Sequence, residues 1–152
     1  MKTAKILIFL LVLVLIVIQF FPSGLPGNKP EDGSNIVNSG LVSDSISGLL
    51  RQSCFDCHSD QTEFPWYSRL APVSWLLTDH INNGKSHLNF SEWEGYSKRE
   101  KIGELENIKD EVKSGGMPLR SYLLMHPVAR MNPEEVTSLL TWTEEASAKI
   151  LE

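Results

Sequence analysis

The pattern of apolar and polar positions divides the chain into three stretches. From Ile6 to Phe21 only Gln19 interrupts a run of apolar side chains. A helix that is apolar on every side has no face to show to water, so the run suits a membrane rather than a soluble core. Lys2 and Lys5 precede it, the layout of a signal peptide or an uncleaved signal anchor. Phe20-Phe21-Pro22-Ser23-Gly24 makes a poor cleavage site, so residues 1–24 are expected to stay as an anchor, with a removed signal peptide as the alternative. Lysines held on the cytoplasmic side put the rest of the chain outside. The expectation is a cell-envelope protein, held at the inner membrane with its body in the periplasm, or soluble in the periplasm after cleavage.

Residues 25–42 hold Pro26, Gly27, Asn28, Pro30, Gly33, Ser34 and Gly40, which is linker composition. The body is then expected over 43–152, and its apolar positions recur with helical spacing. Ser43 or Asp44 caps a helix that presents Ile46, Leu49 and Leu50 and runs into Cys54. Pro72 opens a second, with Val73, Leu76, Leu77 and Ile81, stopped near Asn83-Gly84. Ser97 and Glu100 form a capping box for a third, with Ile102, Leu105, Ile108 and Val112 on its stripe and Gly115-Gly116 at its end. Asn132-Pro133-Glu134-Glu135 starts the last, which carries Val136, Leu139, Leu140, Trp142 and Ala146. No useful window alternates with period 2, so the class is all-α. Loops are expected over 59–71, 84–96 and 115–118. Four short helices joined by long loops make a thin core, which a cofactor would complete.

Charge narrows the partners. The chain has 14 Lys+Arg, 19 Asp+Glu and a formal net charge of −5. Setting aside residues 1–24 removes Lys2 and Lys5 and no acidic residue, so residues 25–152 carry −7. That excess argues against nucleic acid as a partner and against electrostatic adhesion to an anionic membrane. A redox partner offering a basic docking face fits it better.

The chemistry sits in Cys54-Phe55-Asp56-Cys57-His58, the c-type haem attachment pentapeptide. Thiols at i and i+3 lie on one side of a helical turn, so both reach the vinyl edge of one porphyrin. The next residue, His58, comes under the iron as proximal ligand. These are the only 2 cysteines in the chain. Other readings stay open. Cys54 and Cys57 can form a disulfide in an oxidising compartment. Zinc can take Cys54, Cys57, His80 and His87, although a spacing of seven between those histidines is wide. A thioredoxin-like site needs a strand and a βαβ pattern that the sequence lacks.

Further residues extend the pattern. Ser59, Pro65-Trp66-Tyr67-Ser68, Pro72-Val73-Ser74-Trp75, His80, Leu88-Asn89-Phe90-Ser91, Trp93, Met117-Pro118-Leu119, Tyr122, His126-Pro127 and Trp142 follow the pentapeptide. With it they resemble the bacterial haem-binding domain family over about residues 45–146. The resemblance implies a cytochrome c-like helical domain wrapped around one covalently attached haem c behind an N-terminal membrane segment.

For the distal position of the iron, Met117 in the loop Gly115-Gly116-Met117-Pro118 is the expected ligand, and His126 before Pro127 is its rival. Met125 is expected to pack in the core, and Met131 to form a hydrophobic staple with Val136. His80 is expected on the inner stripe of its helix and His87 in solvent. Trp66, Tyr67 and Arg69 are candidates for the haem propionates, with core packing an equal reading for Trp66 and Trp75. By analogy with cytochromes c, the carbonyl that receives the proximal imidazole N–H is sought around Leu70–Pro72. The functional expectation is one-electron transfer by a monohaem c-type cytochrome, not an enzyme, since dihaem peroxidases need two attachment motifs. A haem sensor or accessory haem-binding module with a weak or open sixth position is the alternative.

Overall fold

The computed structural model describes residues 2–152. It holds seven α-helices: α1 (Lys2–Val17), α2 (Asp44–Ser53), α3 (Phe55–His58), α4 (Val73–His87), α5 (Lys98–Ser114), α6 (Arg120–Met125) and α7 (Pro133–Leu151). Short 3₁₀ turns lie between them, and no strand occurs among the described residues. The all-α expectation holds.

Three of the helix starts follow from local hydrogen bonding. The Ser43 hydroxyl accepts the Ile46 N–H at the head of α2. Full capping boxes open α5 at Ser97/Glu100 and α7 at Asn132/Glu135, each satisfying two amides that a helix start leaves unpaired. Gly115 ends α5 with φ 74°, in the left-handed region that favours glycine.

The core joins α5 to α7 and α2 to α7. Leu105, Ile108 and Val112 meet Leu139, Trp142, Ala146 and Ile150, while Ile46 and Leu50 come in from α2. The stretch expected as the 84–96 loop supplies much of the rest. Leu88, Phe90 and Trp93 are buried, and Phe55 stacks on Phe90 with centroids 5.5 Å apart. Protein side chains therefore fill part of the volume that four helices alone leave open.

The stretch 25–42 differs from a free spacer. Ile36 and Asn35 are fully buried, and Ile36 belongs to the core. The Lys29 N–H donates to the Asp60 carbonyl, the Asn28 side-chain amide to the Thr62 carbonyl, and the Trp142 Nε1–H to the Leu41 carbonyl. Turn formers leave backbone groups free for such bonds, so the same composition serves a strap as well as a linker. Asp60 fixes the strap further. Its carboxylate lies 2.8 Å from both Lys29 of the strap and Lys85 of α4.

At the N-terminus, Lys2–Phe20 is long and apolar enough to cross a membrane, and none of it is buried. The lone polar residue of the run has a specific use. Gln19 donates from Nε2 to the Ala71 carbonyl and accepts the Ala71 N–H at Oε1, both at 3.0 Å.

Candidate functional site

The Cys54–His58 turn is built by two helices meeting end to side. Cys54 caps α2, its N–H bonded to the Leu50 carbonyl, and α3 begins one residue later. Both cysteines are free thiols and half buried. Burial pushes the Cys54 thiol up to about 12, with a smaller push from Cys57. Burial, then the Asp56 charge, pushes Cys57 up to about 11. Both therefore stay protonated at neutral pH, unlike the lowered thiols of redox-exchange sites. Among the described residues no three His, Cys, Asp or Glu side chains gather to hold a metal ion, so His80 and His87 do not complete a zinc cage with the two thiols.

His58 is oriented from the far end of α4. Its Nδ1 lies 3.0 Å from the Leu88 carbonyl. A carbonyl can only accept, so Nδ1 carries the proton and Nε2 keeps its lone pair. Burial, partly opposed by that bond, lowers the imidazole pKa and keeps the ring neutral. The acceptor is thus Leu88, not a carbonyl around Leu70–Pro72. Those residues sit at the opposite end of α4, so the cytochrome c spacing does not transfer.

Gly84 allows this meeting. A Cβ on Gly84 would fall inside van der Waals contact of the Cys57 carbonyl. Contrary to the stop expected near Asn83-Gly84, α4 runs through this glycine to His87. The glycine stands instead where the backbone of α3 presses on α4. A usable signal existed. Gly84 falls three residues after Ile81 and four before Leu88, on the buried stripe, where a small residue marks close packing.

A chain of side chains flanks the turn. The Tyr122 hydroxyl donates to Asp56 Oδ2 at 2.6 Å. Burial first, and that carboxylate second, raise the Tyr122 pKa and hold it as a donor. The Tyr122 ring stacks on His126 at 4.2 Å, and Tyr67 Oη lies 3.2 Å from His126 Nε2. His126 Nδ1 faces the Tyr122 carbonyl at 3.2 Å, so Nδ1 is the donor and Nε2 accepts from Tyr67. Asp56 and Tyr122 were not among the expected site residues, although both lie in the motifs that carry the resemblance.

The other expected residues divide. Tyr67 reaches the site through His126. Trp66 is 83% exposed and packs edge-on against Tyr67, so it is not a core residue, and Trp75 is exposed as well. Arg69 is exposed. Met117 is half buried in a groove of about 460 Å³ with Val112, Leu123, Met131 and Val136, and no residue of the Cys54–His58 turn lines it. Met131 and Val136 share that groove, as the staple requires. Met125 is 58% exposed rather than in the core, because its six-residue helix turns Leu124 and Met125 outward together.

A family model described as a haem-binding domain matches residues 13–145. The chain belongs to the haem-binding domain family. No curated protein and no solved structure matches it. The match begins inside α1 and takes in the strap as well as the Cys54–His58 turn. The residues present fit a haem. Two protonated thiols stand one turn apart, a neutral imidazole keeps one nitrogen free, and the turn is held from behind by Gly84 and Leu88. Beside it, Leu124, Met125 and Val128 leave apolar surface open. The Gln52 side-chain amide, one residue before α2 ends, bonds the Val128 carbonyl and ties that surface to the turn.

Proposed function

We propose that this haem-binding protein is a membrane-anchored monohaem c-type cytochrome that carries one electron at a time in the cell envelope. The carrying observation is the pairing of free thiols at Cys54 and Cys57 with His58 held by the Leu88 carbonyl. Cys54 and Cys57 would hold the haem as thioethers, each adding its Sγ–H across one vinyl group, with sulfur and hydrogen both ending on vinyl carbons and no oxidant needed. His58 Nε2, left with its lone pair free, would hold the iron as proximal ligand. When bound, the haem supplies the one-electron iron couple. The chain's part is to hold the group in a rigid seat: the Gly84 contact and the Leu88 bond fix the proximal turn, which limits rearrangement between redox states. The N-terminal helix, uncleaved, keeps the domain on the periplasmic side of the inner membrane. Export with a haem maturation system should yield one thioether-bound haem per chain. Recovery of a chain with no covalent haem overturns the reading.

A second reading has its own support. Met117 sits in a groove apart from the Cys54–His58 turn, and both nitrogens of His126 are engaged. This arrangement supports a weak or open sixth position, as in a haem sensor or accessory module. Carbon monoxide separates the two. Slow or absent binding to the reduced protein, with loss of the far-red Met–ferric band in Met117→Ala, supports the electron carrier. Ready binding without mutation supports the sensor.

A further inference from the structure

The exit of the N-terminal helix runs beside the first two turns of α4. Gln19 pairs with both backbone groups of Ala71, and a Cβ on Gly24 would lie 3.9 Å from the Thr78 methyl. Between those two contacts, α4 turns apolar side chains outward: Val73 is 44% and Leu76 53% exposed, preceded by Leu70 at 46%. The spacing of three between Val73 and Leu76 places those two on one face of α4. Phe20 and Phe21 of the exit segment are also exposed. From Phe64 to Thr78 the only charged residue is Arg69, and the stripe ends at Asp79. An aromatic and aliphatic stretch with a single basic residue has the composition of an interfacial segment.

We propose that this face of α4 rests on the membrane surface, among the lipid headgroups where α1 leaves the hydrocarbon. The proposal rests on the reading of α1 as an uncleaved anchor. Gln19 then acts as an orienting pin, since a side chain bonded to both groups of one residue leaves the domain little freedom to swing. The contact is apolar and local, so the −7 of residues 25–152 does not oppose it at this face. The helical rise from Val73 to Gly84 is about 16 Å, so the Cys57 turn packs at the opposite end of α4 from this face.

The test uses the full-length holoprotein in nanodiscs of phosphatidylethanolamine and phosphatidylglycerol. A small fraction of the phospholipid carries a diazirine near the headgroup end of one acyl chain, and adducts are mapped by mass spectrometry after illumination. Adducts are expected in α1 and on residues 70–76 in comparable yield, at least about tenfold above residues 124–128. Val73→Glu/Leu76→Glu should cut the yield on that segment about tenfold while haem per chain is unchanged. Adducts confined to α1 leave the anchor standing and overturn the docking, whether protein or haem covers residues 70–76 instead. Absence of adducts from α1 as well overturns both. Haem content of the same samples reports separately on the attachment reading.

Discussion

Two glycines near the ends of two helices have opposite uses. Gly115 closes α5 with a left-handed backbone, bonding back to Glu111 and Val112. Gly84 lies within α4, three residues before its end, and lets the Cys57 carbonyl press against the helix. One serves the scaffold of α5 and α7. The other serves the site, because the same close contact brings the Leu88 carbonyl under His58. A glycine needed for its φ is a local matter, whereas a glycine needed for its missing Cβ answers to a residue far along the chain.

Substitution should separate the two. Gly84→Ala is expected to have the largest effect, about 3 kcal/mol in denaturant unfolding, because the neighbour it meets is backbone and cannot rotate away. Haem loading should fall with it. Asp60→Asn comes next at about 2 kcal/mol, since it leaves Lys85 largely buried without its partner; exposure of Lys29 keeps the cost below that of a fully buried pair. Burial raises the Asp60 pKa, but hydrogen bonds and charge from Lys29 and Lys85 outweigh it and leave the pKa lowered. The stabilisation is therefore complete above the unfolded carboxylate value of about 4 and fades as pH falls through the lower folded value. Asp60→Asn should flatten that acid limb of the stability profile. If the limb is unchanged, the strap is held by other contacts.

Smaller effects follow. Tyr122→Phe removes a hydroxyl bonded to the Asp56 carboxylate and should cost about 1.5 kcal/mol. Gly115→Ala should cost about 1 kcal/mol through its left-handed backbone, with haem loading unchanged. A drop in loading for Gly115→Ala equal to that for Gly84→Ala would erase the distinction between scaffold and site.

The same contrast explains what the sequence could reveal. The capping boxes of α5 and α7 join residues three apart, so Ser97/Glu100 and Asn132/Glu135 declare themselves. The haem-attachment turn is equally local, and its five residues are contiguous. The partners of that turn are not. Leu88 lies 30 residues after His58, Tyr122 66 residues after Asp56, and nothing in the intervening pattern announces either meeting. The strap was hidden for another reason. Of its apolar residues Ile36 is wholly buried, and its other attachments run largely through backbone groups and polar side chains, which hydrophobic periodicity does not record. Met125 is the reverse case: its place in an apolar run predicts core, yet the short helix turns it outward.

The central claim is that Cys54 and Cys57 bind one haem through thioether bonds. Acid–acetone extraction of the holoprotein, followed by a pyridine haemochrome spectrum of both phases, tests it most directly. The account predicts that haem stays with the unmodified chain and passes into the solvent from Cys54→Ala/Cys57→Ala. Haem extracted from the unmodified chain would contradict it.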